Sequence, residues 1–137
     1  MGANTLLAGL EKPVENSQFL FRQILKAMSQ PGLIIAFDDD NPSENTLINH
    51  VVWKLCCTLL DAECATYISS AVSSDIESVK RSLLFHTACK LTDSQKQADF
   101  ALLAPAQLRD LSAFNMGTLE SPHTSTTVLA PVDAISN

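Results

Sequence analysis

Two short segments of the chain are apolar at nearly every position, "GLIIAF" at 32–37 and "DFALLA" at 99–104. A strand with one face in water alternates apolar and polar residues, so a continuous apolar run indicates a strand that is buried on both faces. Two further segments, "ATYIS" at 65–69 and "TTVLA" at 126–130, are also rich in apolar and β-branched residues. We predict that these four segments are the strands of one sheet with both faces covered.

Segments with helical periodicity separate the strands. Apolar residues recur every three or four positions in 17–30, which Ser17 can cap, in 44–60, and in a third segment that Ser74 or Asp75 can cap and that runs to about 87. Pro105 suits the first position of a further short helix. The alternation predicts an α/β fold with a central sheet, in a single domain over residues 1–137. Since the fourth strand lies near the end of the chain, an uncovered edge there would favour self-association.

Charge and composition argue against several classes of partner. The formal net charge is −6, and an acidic chain repels the phosphate backbone of nucleic acids. No apolar run reaches the ~18 residues of a membrane span, and the N-terminal segment lacks the pattern of a signal peptide. The four cysteines form no C-x-x-C pair and suit buried thiols better than a redox or disulfide role. We expect a cytoplasmic protein with neither a nucleic-acid nor a membrane partner.

The sequence contains no complete motif for catalysis or metal binding. The three histidines lie far apart, without the spacing of a zinc site. The acidic run at 38–40 lacks the glycine of a calcium loop, so a solvated loop is favoured. The chain has neither a glycine-rich phosphate loop nor a G-x-S-x-G nucleophile motif. We therefore predict no catalytic residue, no metal ion and no cofactor.

Three residues have both a structural and a functional interpretation. His86 falls on or beside the buried face of the third helix, as a core-edge histidine or as a pocket or interface histidine. Arg22 is either a solvated helix residue or a contact for an anion or a partner. Trp53 either packs at the edge of the core or anchors an interface. The sequence pattern favours the structural interpretation in each case.

The order of residues also resembles a known family. The segments "FRQILKAMSQPG" (21–32), "SSDIESVKRSLLFHT" (73–87), "ADFALL" (98–103) and "MGTLESP" (116–122), followed by "TTVL", resemble the PhnH family of the bacterial carbon–phosphorus lyase system. The matching positions are Phe21, Arg22, Ala27, Met28, Ser29, Pro31 and Gly32, then Asp75, Ser82, Leu83, Phe85, His86 and Thr87, then Gly117, Thr118 and Pro122. The resemblance runs from about Pro13 to Leu129.

The resemblance implies a fold, an assembly and a set of contact residues. The fold is a three-layer α/β/α sandwich with a central mixed sheet, similar to the large domain of pyridoxal-phosphate-dependent transferases but without that cofactor. The assembly is a homodimer that joins other subunits of the carbon–phosphorus lyase system, in which a phosphonate is coupled to the ribose of ATP. The implied binding or interface residues are Arg22, Met28, Ser29, Asp75, His86 and Thr87.

The sequence departs from the family pattern in two respects. Family members usually extend further beyond the fourth strand, so we expect a C-terminally shortened relative, and Ser125 stands where the family tends to have glycine. The favoured hypothesis is an accessory, non-catalytic subunit that binds partner subunits of an alpha-D-ribose 1-methylphosphonate 5-triphosphate synthase complex. The alternative is a stand-alone protein that binds a phosphonate or nucleotide anion. An independent enzyme ranks lowest because no nucleophile, metal site or phosphate loop is present.

Overall fold

The computed structural model describes residues 13–36, 48–132 and 135. The α-helices are α1 (Pro13–Ser29), α2 (His50–Leu59) and α3 (Ile76–Thr87), and the strands are β1 (Ala65–Ile68), β2 (Lys90–Leu91), β3 (Phe100–Leu102) and β4 (Thr127–Leu129). Short 3₁₀ segments lie in the connections, at Ser70–Val72, Gln95–Gln97, Pro105–Arg109 and Pro122–Thr124. The alternation of helices and strands confirms the α/β class.

The four strands form one parallel sheet in the order β2-β1-β3-β4. Ala65 of β1 pairs with Lys90 of β2, and Ile68 of β1 pairs with Leu102 of β3, which in turn pairs with Leu129 of β4. Each pairing among the described strands is parallel, so the expectation of a mixed sheet is wrong for this part of the chain. All four strands therefore end at the same edge of the sheet.

One face of the sheet packs against α2 and α3. Ile68 and Leu102 project from the strands into the largest apolar cluster, which also contains residues of both helices. α1 packs against α2, and Leu20 of α1 is buried. The buried members of the cluster are Ile48, Val52, Trp53, Cys56, Leu60, Ile68, Val79, Leu83, Cys89 and Leu102.

The opposite face of the sheet is covered by a smaller cluster. Ala101 and Leu103 are buried together with Phe114, which lies in the connection between β3 and β4. The Tyr67 ring of β1 meets Phe114 edge to face, with the ring centroids 5.7 Å apart. Within the described ranges, a loop rather than an α-helix covers this face, so the second helical layer of the expected sandwich is not seen there. The similarity to pyridoxal-phosphate-dependent transferases stays a prediction.

The connections that follow β1 and β3 run over opposite faces of the sheet. The chain leaves β1 through α3, which packs on one face, to reach β2. It leaves β3 through Leu111 and Phe114, which pack on the other face, to reach β4. Parallel crossovers are right-handed, so the face changes when the direction of travel across the sheet reverses. A crevice opens between two such neighbouring strands at their carboxyl ends.

The described part of the predicted strand at 32–37, residues 32–36, does not join the sheet. Residues 33–36 are irregular, Leu33 and Ile34 are exposed, and Phe37 lies outside the described residues. The preceding turn agrees with the sequence, since Gly32 has a φ of +91° and the Leu33 N–H donates to the Gln30 carbonyl at 2.9 Å. A strand needs a neighbour for its backbone hydrogen bonds, and apolar composition alone does not supply one.

Helix starts were predicted with mixed success. Of the two predicted caps of α3, Ser74 and Asp75, the structure uses Asp75. α1 begins at Pro13, so Ser17 lies inside it rather than at its cap. α2 begins at His50 because Asn49 caps it, with Oδ1 accepting from the Val51 and Val52 N–H groups at 2.9 and 3.2 Å, and the predicted residues 44–47 lie outside the described ranges. β2 is only two residues long, and both are exposed. A segment this short has no sequence pattern from which a strand can be predicted.

Candidate functional site

The first family block lies on the second half of α1 and on the turn after it. Arg22 is exposed, and Met28, with 71% of its surface accessible, lies two turns of helix further on. Ser29 is the last helical residue, and its hydroxyl donates to the Lys26 carbonyl at 2.8 Å. The hydroxyl therefore completes the end of the helix, whereas the Arg22 and Met28 side chains reach the surface.

α1 carries a second apolar stripe beside the one that packs on α2. Leu20 is buried, and Ile24 and Ala27 on the same face are half-buried. Phe21, Leu25 and Met28 follow at i, i+4 and i+7 on the adjoining face and are exposed. A helix that packs on one neighbour needs one apolar stripe about 100° wide. The exposed stripe of Phe21, Leu25 and Met28 is therefore more apolar surface than the described fold uses.

Asp75 holds the start of α3. Its carboxylate accepts hydrogen bonds from the Ser78 hydroxyl at 2.7 Å and from the Ser78 N–H at 3.3 Å. These bonds, with the side-chain bond as the larger cause, lower the pKa of Asp75 below its usual value. Such a carboxylate at a helix start is an N-cap, so its geometry explains its presence without a ligand.

His86 and Thr87 lie at the other end of α3. The His86 ring meets the buried Trp53 ring edge to face, with centroids 6.1 Å apart, and the exposed Phe85 ring at 5.1 Å. His86 is exposed despite its place on the face toward α2, because the helix ends there. Thr87 is buried; its hydroxyl donates to the Leu83 carbonyl at 2.7 Å and accepts from the Cys89 N–H at 3.2 Å. These two hydrogen bonds of Thr87 stabilise the turn that leads from α3 to β2.

The fold does not gather the six predicted contact residues into one pocket. Asp75 and Thr87 flank α3 and are about 18 Å apart along its axis, at 1.5 Å per residue. Asp75, Thr87 and Ser29 make hydrogen bonds at helix ends. Arg22, Met28 and His86 present their side chains on the surface of the helical layer. A binding or interface role for these six residues stays a prediction.

A cleft of about 270 Å³ lies at the carboxyl edge of the sheet, where no contact residue was predicted. Leu103, which follows β3, and Phe114 form its apolar lining. Gln95, Gln107 and Arg109 supply polar groups. Gln95 lies between β2 and β3, whereas the other lining residues lie between β3 and β4, so no local motif unites them. The sequence feature that could have predicted the cleft is the group of polar residues that follows a buried strand. Ligands of parallel sheets bind at the carboxyl ends of the strands.

Among residues 13–36, 48–132 and 135, no group of three or more His, Cys, Asp or Glu side chains is placed to hold a metal ion. The acidic run at 38–40 lies outside the described ranges. Among the helices of the described chain, none combines the length and apolar character of a membrane span.

Comparison with known proteins gives a family and a relative. The family model described as "Bacterial phosphonate metabolism protein (PhnH)" matches residues 8–137. The chain is also similar to the "Alpha-D-ribose 1-methylphosphonate 5-triphosphate synthase subunit PhnH" of Rhizobium meliloti (strain 1021), with 27% identity over 124 residues. This overlap covers 90% of the chain and 60% of the relative, so the chain spans less than two thirds of the relative's length. Because the family model covers nearly the whole sequence, the chain belongs to the PhnH family of bacterial phosphonate metabolism proteins.

Proposed function

We propose that this chain is an accessory, non-catalytic subunit in bacterial phosphonate metabolism and that it acts by binding partner subunits of the carbon–phosphorus lyase system. The family match over residues 8–137 supports the pathway. The name of the similar protein describes a subunit of a synthase, which supports an assembly. The observation that carries the binding role is the exposed stripe of Phe21, Leu25 and Met28 on α1.

The stripe has the character of a protein contact. Exposed apolar side chains grouped on one helix face mark interaction sites more often than isolated ones do, and an amphipathic helix face docks through residues at i, i+4 and i+7. Arg22 and Lys26 are exposed on the same helix, although the whole chain carries a net charge of −6. The partner surface we propose is therefore an apolar groove with carboxylates at its rim.

Co-purification tests this proposal. The tagged chain is expressed with the other lyase subunits of its bacterium, and we expect it to retain them. Leu25→Glu places a charge in the middle of the stripe and should abolish retention. Leu119→Glu is the matched control, because Leu119 is fully exposed in the connection between β3 and β4 and should retain the partners as the unchanged chain does. A chain that never retains a partner, or a Leu25→Glu variant that retains them all, would contradict the proposal.

We further propose that the isolated chain forms a homodimer in the cytoplasm. β4 lies at an edge of the sheet, and its residues Val128 and Leu129 are only half-buried. An edge strand offers unpaired backbone groups to a second chain. Sedimentation velocity at micromolar concentration should give the mass of two chains, and a monomer across that range would contradict the dimer.

A further inference from the structure

The cleft lies beside the carboxyl end of β3, where Leu103 follows the strand directly. Ligands of open parallel sheets bind outside the carboxyl ends of the strands. Gln107, Arg109 and Phe114 come from the connection between β3 and β4, and Gln95 comes from the connection between β2 and β3. Two successive connections therefore form the cleft.

The polar side chains of the cleft are oriented by bonds to the fold. Gln107 Oε1 accepts from the Ala104 N–H at 2.9 Å, which leaves the amide N–H groups of Gln107 as donors. Gln95 Nε2 donates to the Tyr67 hydroxyl at 3.3 Å, and Tyr67 is itself packed on Phe114. These contacts reduce the number of conformations that each amide must give up on binding, and preorganisation of this kind favours affinity.

The charges of the cleft select a ligand with few negative charges. Arg109 provides a guanidinium, whose planar set of donors matches the oxygens of a phosphate or phosphonate group. Asp110 adjoins it, and its Oδ1 accepts from the Ser112 hydroxyl at 2.6 Å and from the Ser112 N–H at 3.0 Å. Those two bonds lower the pKa of Asp110, so its carboxylate stays charged at neutral pH. One cation beside one fixed anion favours one anionic group over a polyphosphate.

We propose that this cleft binds a small molecule with a single phosphate or phosphonate group, held by Arg109 and Gln107, and that it rejects nucleoside triphosphates. A volume of about 270 Å³ falls just below the ~300–1,000 Å³ of sites for drug-sized ligands, which suits a ligand of metabolite size. The proposal concerns the cleft alone and does not depend on the binding of partner subunits by α1.

Nuclear magnetic resonance titration of the isolated ¹⁵N-labelled chain tests the site. The probes are methylphosphonate, inorganic phosphate and ATP at constant ionic strength. We expect saturable shifts of the Gln95, Gln107 and Arg109 amides with the first two probes, and at least roughly tenfold weaker binding of ATP. Arg109→Gln should weaken methylphosphonate binding by about tenfold or more, since a hydrogen bond to a charged group is lost.

Two variants make the result specific. Arg81→Gln removes an exposed arginine on α3 and should bind as the unchanged chain does. Arg109→Lys keeps the charge but not the planar donors, so its affinity should fall between those of the unchanged chain and Arg109→Gln. The proposal is overturned if no probe gives saturable shifts in the cleft, if Arg109→Gln binds as well as the unchanged chain, or if ATP binds as tightly as methylphosphonate. Loss of co-purification through α1 would leave each of these outcomes unaffected.

Discussion

Gly117, which belongs to the third family block, lies at a position where the structure requires glycine. Its φ is +74°, and a Cβ there would lie 2.9 Å from the Pro122 carbonyl oxygen. Gly32 has a similar φ of +91°, but a Cβ there would meet no atom within 4 Å. Both positions use a backbone conformation that favours glycine, and only Gly117 also uses the missing side chain to bring two loop segments together.

We predict that Gly117→Ala destabilises the chain more than Gly32→Ala does. Left-handed strain for a residue with a Cβ costs roughly 1–2 kcal/mol, and both variants should show it as a lower free energy of unfolding. Gly117→Ala adds the overlap with Pro122, so its loss should be the larger one. Urea denaturation of the two variants measures the difference, and equal losses would show that the loop moves aside without cost.

The six predicted contact residues differ in how well sequence reasoning could place them. Asp75 and Thr87 stand at the two ends of α3 and bond to the backbone there, so their match to a family is explained by the helix itself. The side chains of Arg22 and Met28 are exposed, so bonds at a helix end do not explain their match to the family. A sequence motif does not show whether a matching residue caps a helix or contacts a partner. Residue order therefore predicted the same role for all six residues.

α3 is the element whose boundaries follow most directly from its sequence. Asp75 begins it as a cap, and the chain leaves it at Ala88, which has a φ of +58° and donates its N–H to the Leu84 carbonyl at 3.0 Å. Val79 and Leu83 are fully buried on the face toward the sheet. Local signals and tertiary packing agree here, so the prediction was accurate.

We predict a pH-dependent contribution of Asp75 to stability. The pKa of Asp75 is lowered in the folded chain from 3.8 by hydrogen bonds from Ser78. A lowered folded pKa gives a contribution that is present above the unfolded value and is lost as pH falls through the folded value. Asp75→Ala should therefore lower the urea midpoint at pH 7 and lower it much less near pH 2.5.

Glu120→Gln is the control for this experiment, because Glu120 is an exposed loop carboxylate and should leave the midpoint nearly unchanged at both pH values. If the loss caused by Asp75→Ala is the same at both pH values, the charge of Asp75 does not contribute and the cap acts as a neutral acceptor alone.

At the level of the whole molecule, the core protects the cysteine pair of α2. Burial raises the pKa of Cys56 to about 12, with smaller effects from Cys57 and Cys89, and burial raises the pKa of Cys57 to about 12. The thiolate is the reactive form of cysteine. Both thiols therefore stay protonated near neutral pH while the chain is folded. The prediction of buried thiols is confirmed for Cys56 and Cys89, whereas Cys57 and Cys64 are half-buried.

We predict that the buried Cys56 reacts with iodoacetamide at pH 8 only as fast as the chain unfolds, whereas the half-buried Cys64 reacts sooner. Stability should also fall as pH rises above the unfolded value of 9.0, since the unfolded chain then loses protons that the folded chain keeps until about pH 12. Mass spectrometry of labelled peptides measures the rates. Labelling of Cys56 as fast as Cys64 would contradict this protection.

Local order in the chain was sufficient to predict α3, the strands β1, β3 and β4, the turn at Gly32 and the buried thiols of Cys56 and Cys89. These features depend on caps, on turn residues and on short apolar runs, which act over a few neighbouring positions. The PhnH-family membership also follows from residue order, and the family comparison confirms it.

Tertiary structure was needed for the features that join distant residues. "GLIIAF" has the composition of a strand, yet its described part lies outside the sheet. Lys90–Leu91 has a weaker pattern and pairs with β1 because α3 returns the chain to that edge. The cleft unites Gln95 with Gln107 and Arg109 only once the connections on either side of β3 lie next to each other. Periodicity reports the environment of one segment, whereas pairing and clefts depend on which other segment arrives beside it.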